Sequence, residues 1–352
     1  MTMRSPKSLS PLFVILLLLS SLSSAWAIEG GKSATSENVV SFVLRNSVTG
    51  TLSRPTCSGG MISPRIVVTA KHCVEGFNSS ITWLINKSWE VTYPGADIES
   101  KDLITAKIVK IIARPGEYST QDDIALIVID QDFPVAVNIR VASGEDMIRL
   151  RNLEATSLTY GYGSTATSNF QTYLPFKIEN KLVRDFPDRS WGQEVFAIKY
   201  LSSTSYICGG DSGGPNYVQS GDYTYFIGPT GFATRPGCAK GLEGNYHSGG
   251  TAIAYKLDLV NEAETFVLKI KAEEVIAASE LKAKKEADAK AAAELNAKQE
   301  EDAKVAAELK AKQEAEAKAA AQKKTTITCV KGKLIKKVTA IKPKCPAGYK
   351  KR

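Results

Sequence analysis

Short apolar runs alternate with clusters of Gly, Pro, Ser and Asn between Ile28 and about Thr265. The clearest runs are rich in β-branched and aromatic residues: Ile66–Thr69, Ile108–Ile112, Ile124–Ile129 and Tyr223–Ile227. Runs of this length, bounded by turn-forming residues, predict many short antiparallel strands and hence an all-β barrel or sandwich. No long amphipathic helix is expected within this zone.

The pattern changes at about residue 266, where Ala, Glu and Lys take over until residue 322. A 14-residue unit repeats there, marked by Leu281, Leu295 and Leu309. Glu precedes Lys by four residues six times between Glu280 and Lys318, the order that stabilises a helix. The segment therefore predicts a long helix, about 75 Å for residues 272–322 at 1.5 Å per residue.

A heptad pattern would make this helix a coiled coil, and we test it from Leu281. The next core positions are Asp288, Leu295, Asp302 and Leu309, so acids occupy alternate positions of the seam. A stable seam does not accommodate that many charges. A single solvated helix acting as a stalk is favoured, with a coiled coil as the alternative.

The first 27 residues have the order of a secretory signal peptide. Arg4 and Lys7 precede the apolar run Leu12–Leu19, and an Ala-Trp-Ala ending closes at Ala27. The run is too short to span a bilayer comfortably. We expect export, cleavage after Ala27 and a mature chain that begins at Ile28, so disulfides are permitted.

Charge is concentrated at the other end of the chain. Residues 323–352 hold eleven Lys and Arg and no acid, so the other 322 residues of this +8 chain carry a net charge of −3. The basicity belongs to a tail, and general nucleic-acid binding is not expected. Cys329 and Cys345 bracket β-branched residues there, which fits a small disulfide-closed hairpin or loop.

Candidate chemistry lies in three short motifs. Ser212 stands in Cys-Gly-Gly-Asp-Ser-Gly-Gly-Pro, His72 in Thr-Ala-Lys-His-Cys, and Asp123 in Asp-Asp-Ile-Ala-Leu. A serine is a weak nucleophile unless an imidazole removes its proton. A carboxylate in turn fixes the imidazole tautomer. Asp123 is preferred over Asp122 because it directly precedes Ile-Ala-Leu.

With these three motifs, residues 28–262 resemble trypsin/chymotrypsin-type serine proteases, with the same His, Asp, Ser order along the chain. The resemblance implies two six-stranded antiparallel β-barrels with the active site between them. It also implies a His72, Asp123 and Ser212 triad and an oxyanion hole formed by the backbone N–H groups of Gly210 and Ser212. The segment Gly161-Tyr162-Gly163 is similar to the Gly-Trp-Gly of that family.

The resemblance further implies an activation device and a specificity pocket. The ammonium of a mature Ile28 would pair with Asp211, and since Ile28 follows Ala27 directly, no propeptide stage is expected. Tyr206 stands where tryptic members carry Asp, so specificity for Arg or Lys is disfavoured. We expect a pocket for small or medium apolar side chains, formed by four residues: Tyr206, Ile207, Phe232 and Ala233.

The six cysteines are expected to form three disulfides. Cys57–Cys73 and Cys208–Cys238 would match bridges of the resembling family. Cys329–Cys345 is then left for the tail by elimination. No cofactor and no metal are expected, since a tail zinc site would lack histidine ligands.

The sequence thus predicts four zones: a signal peptide (1–27), a serine protease domain (28–265), a helical stalk (266–322) and a basic two-cysteine tail (323–352). The expected function is a secreted serine endopeptidase acting on proteins or peptides. Surface association through contact of the tail with cell-wall polymers or membranes is a further option. Two alternatives stay open: a non-catalytic surface-binding protein with a protease-like domain, and an esterase using the same triad.

Overall fold

The N-terminal half of the protease-like zone is a closed six-stranded barrel. The computed structural model describes residues 28–35, 38–74, 87–116, 119–135, 138–165, 172–184, 192–202, 204–233 and 247–352. The barrel order is β2-β3-β4-β7-β6-β5, all antiparallel. Its strands are β2 (Val39–Asn46), β3 (Ser58–Ser63), β4 (Ile66–Thr69), β5 (Lys87–Thr92), β6 (Thr105–Ile112) and β7 (Ala125–Ile129).

The central strand β7 explains why its sequence is a continuous apolar run. All five of its residues are buried. Ala125, Ile127 and Ile129 belong to one core cluster, whereas Leu126 and Val128 belong to another. Because successive side chains of a strand point to opposite faces, β7 is covered by apolar residues on both sides.

The second half forms a nine-stranded mixed sheet of order β14-β15-β11-β10-β9-β12-β13-β8, with β1 added to β10. Its strands are β1 (Lys32–Ser33), β8 (Ile139–Val141), β9 (Thr156–Gly161), β10 (Phe176–Leu182), β11 (Val195–Tyr200), β12 (Pro215–Ser220), β13 (Tyr223–Pro229), β14 (Phe232–Ala233) and β15 (His247–Thr251). The expectation of a second six-stranded antiparallel barrel is corrected: among the described residues, this half is a nine-stranded mixed sheet. β8, from the segment that follows the first barrel, joins β13 in parallel, and the N-terminal β1 attaches as a branch.

Two short helices precede the long one. Helix α1 (Lys71–Val74) follows β4 directly, and helix α2 (Gly144–Asn152) follows β8. Ser143 and Asp146 form a reciprocal capping box at the start of α2, whose Met147 and Leu150 are buried. A 3₁₀ turn (Ile253–Tyr255) leads into the last helix.

The long helix α3 (Leu257–Ala321) begins nine residues before the expected boundary at 266. Its first turns carry apolar residues that pack in the core: Leu259, Val260 and Ala263 are buried, and Phe266, Val267 and Ile270 pack against the same cluster. Residues 272–321 are exposed throughout. Two compact units divide between Ile270 and Lys271. Among the described residues, no helix combines the length and apolarity needed to cross a membrane.

The C-terminal unit ends in a small three-stranded sheet of order β17-β16-β18. The strands are β16 (Thr325–Lys331), β17 (Leu334–Ala340) and β18 (Lys350–Lys351). The Cys329–Cys345 disulfide closes it, and Cys329 is fully buried. The expectation of a disulfide-closed hairpin after a long helix is confirmed.

Candidate active site

His72 and Asp123 form the most tightly organised polar pair of the protease-like unit. His72 Nδ1 lies 2.8 Å from Asp123 Oδ2, and the backbone N–H of His72 donates to Asp123 Oδ1 at 3.0 Å. The Asp123 side chain is 1% exposed, whereas that of His72 is 31% exposed. Since an ionised carboxylate only accepts, the neutral imidazole carries its proton on Nδ1 and leaves Nε2 as an acceptor.

Local structure fixes the position of His72 in this pair. His72 lies in α1, whose Cys73 is bonded to Cys57 beside β3. Lys71 is buried and donates from Nζ to the carbonyl of Gly116 at 3.0 Å, which ties α1 to the loop that leads to Asp123. His72 is therefore held through both its backbone and its imidazole ring.

Asp122 points to a different set of partners. The Nζ of Lys256, a side chain only 3% exposed, lies 3.1 Å from Asp122 Oδ1 and 3.1 Å from Glu194 Oε2. Arg114 approaches Asp122 at 3.8 Å and pairs with Asp258 in the first turn of α3 at 2.8 Å. Of the two adjacent acids, Asp123 is thus the one at the imidazole.

Ser212 lies in the loop between Tyr206 and β12, and this loop is clamped to the first barrel. Ser58 N–H donates to the Ser212 carbonyl at 2.8 Å, and Gly213 N–H donates to the Thr230 carbonyl at 2.7 Å. A Cβ on Gly213 would lie 2.1 Å from Thr69 Oγ1, and the residue has φ +79°. Only glycine permits both the close approach and this backbone conformation. The loop therefore meets the end of β4, directly before His72.

Gly210 adopts φ +94° two residues before Ser212. Its carbonyl accepts a hydrogen bond from Ser58 Oγ at 3.0 Å, and the same hydroxyl accepts from Tyr162 N–H at 2.9 Å. Ser58 thus sets the orientation of the Gly210–Asp211 peptide. Sequence reasoning missed the roles of Ser58, Lys71 and Lys256; of these, only Lys71 stands in one of the three motifs, Thr-Ala-Lys-His-Cys.

Asp211 is fully buried next to Ser212. Its Oδ1 accepts from Gly163 N–H at 2.7 Å and its Oδ2 from Cys208 N–H at 2.8 Å. A Cβ on Gly161 or Gly163 would lie 2.1 Å and 2.4 Å from the carboxylate, so both glycines are required for this enclosure. Burial raises the pKa of Asp211 to about 7, although the two N–H donors act in the opposite direction.

Ile28 is also buried and belongs to the same apolar cluster as Ile207. Its φ of +47° is unusual for a β-branched residue. Among the described contacts, none joins Ile28 to the Asp211 carboxylate. A peptide nitrogen carries no charge while a residue precedes it, so the expected ion pair stays a prediction.

A cavity of about 160 Å³ adjoins Ser212. It is lined by Ile207, Cys208, Gly209, Ser212, Thr230, Gly231, Phe232 and Ala233. Three of the four expected pocket residues are among them. Tyr206 is not among them, and its backbone pairs with that of Glu29 in an isolated β-bridge. No charged side chain lines this cavity among the described residues.

Cysteine pairing bears on the metal question as well. The ligand atoms of Cys57, His72 and Cys73 lie within 4.8 Å of one another. However, both cysteines are joined in a disulfide, so neither offers a thiolate. Cys208 is disulfide-bonded too, and its expected partner Cys238 lies outside the described residues.

Comparisons with known proteins agree with the motif-based resemblance. The family model for trypsin matches residues 28–252, more than half of the chain. Among curated proteins, the chain is similar to the CLIP domain-containing serine protease B4 of Anopheles gambiae, at 28% identity over 58% of this chain and 61% of that protein. It is also similar to the serine protease filzig of Drosophila melanogaster, at 27% identity over 51% of this chain and 11% of that protein. The chain is likewise similar to a trypsin-like protease of Streptomyces glaucescens, at 27% identity over 46% of this chain and 58% of that protein. The matches thus span less than two thirds of each of these relatives.

Proposed function

The chain belongs to the trypsin family of serine proteases, and from this premise we propose that it is a secreted endopeptidase in which Ser212, His72 and Asp123 form the catalytic triad. The observation that carries the proposal is the His72 and Asp123 pair, bonded through both the ring and the backbone beside the Ser212 loop. A histidine with only a structural role would not need one buried carboxylate bonded to both its ring nitrogen and its backbone N–H.

The proposed reaction follows from the proton positions. His72 Nε2 takes the proton of Ser212 Oγ as the oxygen attacks the scissile carbonyl, and a tetrahedral oxyanion forms. His72 then gives this proton to the leaving amine, so that the C–N bond breaks and an acyl-enzyme remains. Water attacks the acyl-enzyme by the same route and releases the acid. Asp123 stays ionised and stabilises the imidazolium at each step.

The backbone N–H groups of Gly210 and Ser212 would bind the oxyanion. Ser58 supports this assignment, because its hydroxyl holds the Gly210 carbonyl and so fixes the Gly210–Asp211 peptide, which lies between the two donors along the chain. Loss of one donor of this kind costs about 10²–10³ in kcat in enzymes where it has been removed. We expect Ser58→Ala to lower kcat with little effect on KM, since it loosens the peptide that joins the two N–H donors, and those donors are used only in the transition state.

A serine-reactive fluorophosphonate tests the triad directly. We expect one label on Ser212, identified by mass spectrometry of the labelled peptide, and slow labelling in His72→Ala. Ser202→Ala is the matched control, because Ser202 is an exposed serine ten positions before Ser212 and should leave labelling unchanged. Absence of label on a folded chain that begins at Ile28, or labelling away from Ser212, would contradict the proposal. Parallel peptide and ester substrates separate an endopeptidase from an esterase.

Apolar side chains before the scissile bond are the proposed preference. Ile207, Phe232 and Ala233 line the cavity beside Ser212 without a charged residue among the described lining. Ala233→Gly should admit larger side chains, as it removes a methyl group from the wall. Tyr206→Gly is the control, since Tyr206 does not line the cavity. The reverse result, a change only with Tyr206→Gly, would assign the pocket elsewhere.

Maturation at Ile28 without a propeptide is part of the proposal. The positive φ of Ile28 supports it, because cleavage before this residue removes the constraint on that torsion and creates an ammonium. The ammonium would pair with Asp211, whose buried charge then gains a partner. N-terminal sequencing of secreted, active protein should give Ile28-Glu29-Gly30; full activity from a different terminus would refute it.

A further inference from the structure

The C-terminal sheet presents a concentration of positive charge with no internal compensation. All eleven Lys and Arg of residues 323–352 are exposed, and the segment contains no acid. No ion pair among the described residues involves any of them. A charged surface of one sign attracts an oppositely charged partner over roughly a Debye length.

Strand register places these cations on both faces of the sheet. Lys336 and Lys351 lie opposite Cys329, one on each neighbouring strand, and share the face of the disulfide. Lys337 lies opposite Thr328 and belongs to the other face, as does Lys350 opposite Val330. The sheet therefore carries positive charge on both faces.

The β16–β17 hairpin tip adds an apolar element. Lys331 and Leu334 form the last pair, and Gly332, at φ +62°, and Lys333 make the turn. Leu334 and Ile335 are 62% and 61% exposed. As consecutive strand residues they point to opposite faces, so each face of the tip carries an aliphatic side chain close to lysines.

This combination distinguishes between two anionic partners. A soluble polyanion interacts with charge alone and gains nothing from an exposed Leu and Ile. A bilayer offers both anionic headgroups and, just beneath them, an apolar region for short side chains. We propose that the hairpin tip, residues 331–337, binds the surface of anionic lipid bilayers, with Leu334 and Ile335 entering the headgroup boundary and the lysines contacting lipid phosphates.

Vesicle sedimentation with the chain 28–352, which lacks the apolar run Leu12–Leu19, tests this proposal. Vesicles of phosphatidylglycerol and phosphatidylcholine in equal parts should bind the protein, and vesicles of phosphatidylcholine alone should bind it far more weakly. Lys333→Gln with Lys336→Gln should weaken binding roughly 25-fold, at about five-fold per lysine. Leu334→Ser with Ile335→Ser should weaken it about ten-fold at unchanged charge.

The long helix supplies matched controls. Leu295 and Leu309 are each 58% exposed, so Leu295→Ser with Leu309→Ser makes the same chemical change away from the tip. Lys298→Gln with Lys312→Gln removes the same charge from α3. Both controls should bind like the unaltered chain, and a thiol assay should show that every variant keeps the Cys329–Cys345 disulfide.

Three outcomes would overturn the proposal. Equal binding to neutral and anionic vesicles, or binding to neither, would exclude an anionic bilayer as the partner. Unchanged binding of the Leu334 and Ile335 variant, together with equally tight binding of soluble polyphosphate, would assign the sheet to polyanions through charge alone.

Discussion

The buried Asp211 carboxylate makes stability depend on pH in a direction opposite to that of most acids. In the chain whose residue 27 still precedes Ile28, burial raises the pKa of Asp211 from 3.8 to about 7. Between about pH 4 and pH 7 the folded chain therefore holds a proton that the unfolded chain has released. Stability falls as pH rises through this window, by about 1.4 kcal/mol per pH unit, and becomes level above it. The total approaches about 4 kcal/mol.

Urea unfolding at pH 5, 6, 7 and 8 measures this effect, with Ser212→Ala in every protein to prevent self-cleavage. Asp211→Asn cannot ionise, so its free energy of unfolding should be nearly level where that of the parent falls. In a chain that begins at Ile28, the proposed ammonium would keep Asp211 charged and flatten the profile as well.

Asp146→Asn is the control. Burial alone would raise the pKa of Asp146, but hydrogen bonds from Arg149 and Ser143 outweigh it and lower the pKa. Its contribution is present above the unfolded pKa and is lost only as pH falls below about 4. Asp146→Asn should thus reduce stability equally from pH 5 to 8 and leave the slope unchanged. A parent slope that Asp211→Asn also leaves unchanged would refute the assignment of this pH dependence to Asp211.

Three further predictions concern packing and cross-links. Lys256→Met should reduce the free energy of unfolding by about 1–2 kcal/mol in urea titrations, because Asp122 and Glu194 lose their buried partner. The loss stays this small because both carboxylates are partly exposed and can hydrate. No loss would show that the two ion pairs contribute nothing to stability. Gly161→Ala should cost about 1–3 kcal/mol and also lower kcat, since the added methyl displaces Asp211 beside the nucleophile; unchanged kinetics would contradict this. Cys57→Ser with Cys73→Ser should cost about 3 kcal/mol, as expected for a loop closed over a separation of 16 residues, and differential scanning calorimetry would detect it.

Local pattern identified three strands of the first barrel (β4, β6 and β7) and the existence of the long helix, whereas the six-stranded barrel itself was implied by the family resemblance. Ile124–Ile129 is a continuous apolar run because β7 is buried on both faces, and the run fixes the position of Asp123 at its start. The start of α3 could not be located by composition. Its first turns contain apolar residues such as Leu259 and Val260, which pack in the core, and so they lack the Ala, Glu and Lys composition that marks the rest of the helix. The parallel pairing of β8 with β13 is likewise a long-range choice that period-two alternation does not encode.

The candidate site shows the same division. The His72 and Asp123 contact follows from two motifs, each short and local. The family resemblance implied that Tyr206 lies in the pocket, but it could not show that the backbone there pairs with Glu29, which is 177 positions away in sequence. Lys256 and Ser58 act through partners far away in the chain, so no local signal identifies them. Side-chain networks of this kind become visible only with the tertiary structure.

Digestion of a diverse peptide library by the chain 28–352 tests the central claim most directly, with Ser212→Ala as the matched control. The chain is kept whole because apolar residues of α3 as far as Ile270 pack on the protease-like unit. We expect cleavage by the unaltered chain alone, with apolar residues before the cut bond. Absence of cleavage by folded protein with an Ile28 terminus, or equal cleavage by Ser212→Ala, would contradict the assignment of a serine endopeptidase.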